Sequence, residues 1–183
     1  MDLMESLRTR RAVRDFTGRP VERAAIDGLI RAATLAPSAM NLQPWRFAVI
    51  GGTQRLHALS AEAKRHVAST LPPGSPLAGH VADPRFEVFH GAPALVIVCA
   101  TDPSTQSAED CCLAAMHLML AAHGEGLATC WIGLARPWLN LSPVKDELGI
   151  PANATPVAPI ILGYPDALPP PPPRRDPVIT WCV

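Results

Sequence analysis

Ala36-Pro37-Ser38-Ala39-Met40-Asn41-Leu42-Gln43-Pro44-Trp45-Arg46-Phe47-Ala48-Val49-Ile50 decides the fold, because in it a helix stops, a polar turn follows and a buried strand begins. The residue before a proline is pushed out of the α region, so Pro37 closes the preceding helix and Pro44 is expected to hold Gln43 extended. Ser38, Asn41 and Gln43 then sit on a short tethered loop. They offer hydroxyl, carbonyl and amide groups without net charge, which suits the edge of a planar hydrogen-bonding heterocycle. The same residue types also cap local backbone in ordinary turns, and both readings stand at this point.

Upstream, residues 22–35 place Ile26, Leu29, Ile30 and Ala33 at helical spacing, a core stripe. Before them Asp2 caps a first helix with Leu3 and Leu7 on one face. Arg8, Arg10, Arg11 and Arg14 crowd its end. Positive charge there is favourable by about 0.3–1 kcal/mol, but four arginines so close together exceed what that effect needs. After the strand at 46–50, Gly51-Gly52 turns the chain. Thr53 is then expected to cap a third helix to about residue 68, whose Arg, Lys and His residues suggest a peripheral place. Residues 71–90 carry prolines, glycines and no clear period, the mark of a long loop or short helical excursion that could cover a site.

The run Pro93-Ala94-Leu95-Val96-Ile97-Val98-Cys99-Ala100 reads as a central strand buried on both faces. Residues 107–123 read as a helix, apolar at every position of 111–122 except His117, that ends at Gly124 and Gly126. It is expected to be covered on nearly all sides, by its own domain and a partner chain, as the spine of the fold. Residues 129–134 read as a second central strand whose Gly133 marks close backbone approach of a ligand or a bulge. Ser142-Pro143 opens a short helix that Gly149 ends. A third core strand spans 157–163, with Pro159 arguing for an edge or a bulge. Prolines 169–173 make a rigid arm of about 15 Å. Beyond Arg174-Arg175, the apolar end Val178-Ile179-Thr180-Trp181-Cys182-Val183 is expected to dock as a strand, on a second chain if the arm carries it there.

The chain of 183 residues is expected to form one domain over 1–183, with the Pro-rich arm at 169–175 and the terminal strand at 176–183. The order of elements gives an α+β class, a mixed or antiparallel sheet against a buried helix. Sixteen basic residues balance sixteen acidic ones, so no global field recruits nucleic acid or an anionic membrane. With no basic start leading into an apolar run, the protein reads as cytoplasmic. The five cysteines, odd in number and mostly in apolar runs, suit reduced core thiols. The six histidines show no metal-ligand spacing on one helical face. Dinucleotide, P-loop, serine-hydrolase and zinc-protease signatures do not occur.

Four motifs in order carry a resemblance: Arg10-Arg11-Ala12-Val13-Arg14-Asp15-Phe16, the Pro37–Trp45 turn, Gly126-Leu127-Ala128-Thr129-Cys130-Trp131-Ile132-Gly133, and Leu162-Gly163-Tyr164-Pro165. Together they resemble the FMN-dependent nitroreductase family over almost the whole chain. The resemblance implies the nitroreductase-like fold and a homodimer with two FMN sites at its interface, closed by exchange of the C-terminal strand. It also implies NADH or NADPH as co-substrate and ping-pong, two-electron reduction of nitroaromatic, quinone or related substrates. By the same resemblance Arg10 and Arg11 hold the FMN phosphate and ribityl chain, and Arg14 lies near the pyrimidine edge. Ala12 stands where a serine is usual, so one hydroxyl contact worth about 0.5–1.5 kcal/mol is absent. Arg174 or Arg175 matches a C-terminal basic residue, able to grip phosphate bidentately. Pro37, Ser38, Asn41 and Gln43 contribute from the other protomer. Ile132 and Gly133 bring backbone N–H groups to the flavin, and Trp131 with the 71–90 loop walls the substrate. No side chain is assigned as general acid or base, since the cofactor carries the chemistry. Specialised flavin chemistry such as dehalogenation, a non-catalytic flavin or anion carrier, and a purely structural dimer are the alternatives.

Overall fold

The computed structural model describes residues 2–182. The helices are α1 (Leu3–Thr9), α2 (Arg23–Ala33), α3 (Thr53–Thr70), α4 (Ala78–Ala82), α5 (Thr105–Gly124), α6 (Arg136–Leu139) and α7 (Ser142–Glu147). The strands are β1 (Trp45–Gly51), β2 (Ala94–Ala100), β3 (Ala128–Trp131) and β4 (Thr155–Gly163). They form one antiparallel sheet in the order β1-β2-β4-β3. A single parallel bridge joins Ala12, outside the named strands, to Thr129 of β3.

The β2 run is buried at every residue because its two faces serve two cores. Val96 and Val98 point into one, with Ile26 and Leu29 of α2 and Cys111, Ala114 and Leu118 of α5. Leu95, Ile97 and Cys99 point into the other, with Leu56, Leu59 and Ala63 of α3 and Trp138 and Leu139 of α6. The molecule is therefore a three-layer sandwich, and the all-apolar α5 lies across one face of the sheet. Its cover is one-sided within the chain: Cys112 is exposed and Leu113 is 45% exposed.

Several expectations are corrected by this packing. The third helix is not peripheral, since Leu56, Leu59, Ala63 and Val67 are all buried; its charges occupy only the outer face. Gly52, at φ 99°, is its N-cap, and Thr53 makes no capping bond as the first helical residue. β3 is an edge strand rather than a central one and stops at Trp131, after which Gly133–Ala135 forms a 3-10 turn leading into α6. β4 is central despite Pro159. The Pro159 carbonyl accepts from Ile132 N at 2.8 Å, so the missing N–H falls where the β3 ladder ends and no partner is lost. The register shifts opposite Val98/Cys99, two residues before that proline, so a bulge lies nearby while Pro159 itself pairs regularly with Ile97. No strand forms over 166–182 within the chain; Val178 is fully exposed and Trp181 is 80% exposed. Val183, the last residue of the expected terminal strand, lies outside the described residues. Cys99, Cys111 and Cys130 are buried free thiols, whereas Cys112 and Cys182 are exposed. Among the described residues no helix is long and apolar enough to cross a membrane.

Candidate functional site

After α1, Arg10 leaves the helical region, and the chain runs extended past the β3 edge, where Val13 N donates to Thr129 O at 3.1 Å. That bridge buries Val13 and leaves the alternating arginines beside it. Arg10, Arg11, Ala12 and Arg14 line one cavity of about 280 Å³, closed by Pro169, Pro170, Pro172 and Arg174 from the polyproline arm. None of the ion pairs among the described residues involves these four arginines. Burial, then the adjacent Arg174 and Arg11 charges, pulls the Arg10 pKa below its ordinary value. Arg11 is aimed by its own backbone, donating to Arg8 O at 2.7 Å and Arg10 O at 2.8 Å. Guanidinium groups crowded together without a carboxylate make a site for a multiply charged anion. Arg175 does not line this cavity, so of the two C-terminal arginines the chain brings Arg174 to the cluster.

Arg14 also borders a second cavity of about 520 Å³ with His80, Phe86, His90, Trp131, Ile132 and Leu134. The segment 71–90 thus faces Trp131 across this space. Lys64 of α3 anchors the segment by donating to the carbonyls of Asp83 and Phe86. Phe86 meets His90 edge-on at 5.8 Å. His90 holds a left-handed backbone at φ 52°, and burial, followed by the Arg14 charge, pulls its pKa down against the opposing pull of Glu87. Burial pushes the Cys130 thiol up, although Arg14 and Arg10 act the other way. The N–H of Ile132 is already given to Pro159, so it is not free for a ligand. Gly133 is exposed at the start of the 3-10 turn, and a Cβ there would meet nothing within 4 Å.

The turn after Pro37 is shaped differently from expectation. Gln43 is left-handed at φ 49°, not extended, as are Met40 at 51° and Asn41 at 55°. Its N–H donates to Ser38 Oγ at 3.0 Å, its side-chain amide reaches Asn41 Oδ1 at 3.3 Å, and its carbonyl accepts from Trp45 N at 2.8 Å. These bonds outweigh the steric preference that Pro44 imposes. Ser38 therefore braces local backbone, while the Asn41 side chain meets only that of Gln43, and together they fix a polar turn whose Met40, Asn41 and Gln43 stay exposed. Such strained non-glycine positions cost about 1–3 kcal/mol each and persist only where the surroundings hold them.

Pro37, Ser38, Asn41 and Gln43 do not meet the arginines within one chain. Thr129, which Ala12 bridges, sits in the sheet row Gly51–Ala94–Leu162–Thr129, whereas the turn precedes Trp45 at the far end of β1. The two groups occupy diagonally opposite corners, about 20 Å apart along the strands and, with the arginine segment one spacing beyond β3, about 19 Å across them.

Residues 7–164 match the sequence profile of the Nitroreductase family. The chain belongs to that family. It is 30% identical over 170 residues to a Methanothermobacter thermautotrophicus protein provisionally named an NADH dehydrogenase/NAD(P)H nitroreductase, covering 90% of this chain and 78% of that one. It is also 30% identical to a nitrobenzene nitroreductase of Ectopseudomonas oleovorans, covering 87% and 85%. A crystal structure of a Bacteroides fragilis nitroreductase with bound FMN superposes at a TM-score of 0.87 with 25% identity, covering 100% of this chain and 99% of that one. The 71–90 segment expected to wall the site beside Trp131 does so through His80, Phe86 and His90, whereas sequence reasoning gave Asp110 no part. The signal for Asp110 was an acid, next to Glu109, directly abutting an otherwise apolar helix run.

Proposed function

We propose that this chain is an NAD(P)H-dependent FMN oxidoreductase that reduces nitroaromatic, quinone or related oxidised substrates as a homodimer in the cytoplasm. The observation that carries the reading is the cluster of Arg10, Arg11, Arg14 and Arg174, unpaired by acids, beside an aromatic-walled cavity in a nitroreductase-family chain. The donor set fits FMN. Guanidinium groups suit its phosphate, the Trp131 and Phe86 rings suit a flat isoalloxazine or substrate, and the uncharged Ser38–Gln43 turn suits a heterocycle edge. FMN, when bound, supplies two-electron redox chemistry between NADH or NADPH and an oxidised substrate.

The chain's own part is to bind, orient and shield. Arg10, Arg11 and Arg174 hold the phosphate, with Ala12 offering no hydroxyl to help them. Arg14, on the border of both cavities, is the cation available to negative charge that develops on reduction. Phe86 and His90, tied down through Lys64, narrow the space over Trp131 and limit water there. Because the polar turn lies at the opposite corner of the sheet, a complete site takes the arginines of one protomer and the turn of the other. The exposed C-terminal segment crosses to the partner and pairs there as a strand, keeping the whole chain one FMN-binding unit. The absorbance spectrum of the purified protein, followed anaerobically with NADH and then NADPH, tests the reading. A flavin spectrum that bleaches is expected, and a bound flavin that neither nucleotide reduces refutes it.

A further inference from the structure

Asp110 stands out among the polar side chains because it is 3% exposed on α5 and takes part in none of the ion pairs among the described residues. A buried carboxylate without a cation costs several kcal/mol unless hydrogen bonds hold it, so its partners matter. Both of its oxygens accept from the backbone N–H of Ala39, at 3.2 and 3.3 Å, and Oδ1 also accepts from Gln106 Nε2 at 3.2 Å. Ala39 opens the 3-10 turn that contains the left-handed Met40 and Asn41 and leads to left-handed Gln43. The next residue of the same helix grips the turn's exit, Cys111 Sγ donating to Pro44 O at 3.7 Å, where Thr101 N donates as well at 3.0 Å. The turn is thus clamped at entry and exit, and the entry clamp is a charge-assisted bond from a residue that touches no cavity of the arginine corner.

We propose that Asp110 is a positioning residue acting across the dimer: it locks the Ser38–Gln43 turn of its own protomer into the strained shape that completes the FMN site of the other. The inference rests on the FMN reading above. Holding three left-handed side-chain-bearing residues requires an external anchor, and a carboxylate, which only accepts, grips an N–H without leaving a donor of its own unsatisfied. Neutral acceptors would suffice for a turn with no exacting geometry to keep.

The test uses Asp110→Ala, Asp110→Asn and the arginine-corner variant Arg10→Ala/Arg11→Ala, with FMN as the probe. Asp110→Ala is expected to weaken FMN binding about ten- to a hundredfold while the thermal midpoint of the flavin-free protein stays near wild type. Asp110→Asn retains a neutral acceptor for Ala39 N–H but loses the charge and adds a buried donor, so it is expected to recover only part of the affinity. The decisive arm mixes subunits. A hybrid dimer of one Asp110→Ala chain and one Arg10→Ala/Arg11→Ala chain has one site with both halves intact, so tight binding returns to one flavin per dimer. Wild-type affinity in Asp110→Ala, or a hybrid that regains no site, overturns the proposal. Wild-type protein that binds no FMN sinks the FMN reading instead. The clamp is then read by amide exchange at Ala39 and Gln43, which accelerates in Asp110→Ala if Asp110 holds the turn and is unchanged if it does not.

Discussion

Arg14 is exposed yet borders both cavities, so its charge is free to act on whatever they hold. Two-electron reduction of FMN leaves negative charge on the ring, and a nearby cation stabilises the reduced form more than the oxidised one. With solvent screening, a net of about 1.4 kcal/mol is reasonable, or roughly 30 mV for a two-electron couple. Arg14→Met is therefore expected to lower the flavin midpoint potential by about that amount with FMN still bound. Spectroelectrochemistry on both proteins checks it, and an unchanged potential returns Arg14 to a solvated arginine. The histidines make a second prediction. Burial and then Arg14 lower the His90 pKa below 6.5, and burial, then Arg10 and Arg11, do the same to His123. The unfolded chain therefore binds more protons just below that pH, so stability is complete above about 6.5 and falls as pH drops towards the folded values. His90→Gln should flatten part of this acid-side loss in urea unfolding curves, and an identical pH profile would show that His90 titrates alike folded and unfolded.

At the scale of elements, Gly163 explains why the end of β4 tolerates no side chain. A Cβ there would lie 2.7 and 2.8 Å from the Pro93 ring and 2.9 Å from Phe16, where the extended segment after Arg14 bridges to Pro165. Those neighbours are a proline opening β2 and a half-buried aromatic, neither able to swing away. Gly163→Ala is expected to cost about 1–3 kcal/mol by overpacking. Its urea midpoint decides, and a value equal to wild type would mean the β4 end shifts freely. The sequence marked this glycine as part of a motif but not as a contact, because the crowding atoms come from residues about 70 and 147 positions away.

For the whole molecule, the exposed apolar residues and the split site point the same way. Leu3, Met4 and Leu7 of α1, Leu113 of α5, and Val178, Ile179 and Trp181 of the tail are left uncovered by a single chain. The dimer proposed above would bury of order 2,000 Å² or more. The arm also supplies three prolines and Arg174 to the arginine cavity, so in the proposed dimer it would join assembly to cofactor binding. Truncation after Leu168 is expected to weaken FMN binding and the dimer together, read by equilibrium dialysis and sedimentation. A truncated protein that keeps both would show the arm to be dispensable.

The amino-acid order alone determined the local elements: the α2 stripe, the doubly buried β2 run, the apolar α5 and the arginine crowd after α1. Each is written in nearest-neighbour spacing, since burial of one face or two leaves a period of its own. Tertiary structure decided what spacing does not encode. Whether a strand is central or at an edge depends on which distant strand pairs with it, so β3 and β4 exchanged their expected places. Whether a charged helix is peripheral depends on the layer beneath it, which buried one face of α3. Gln43 became left-handed because Ser38 and Asn41 bond to it across the turn, overriding the local effect of Pro44. The separation of arginines and turn to opposite corners of the sheet came from strand order alone, the one quantity that no run of neighbouring residues contains.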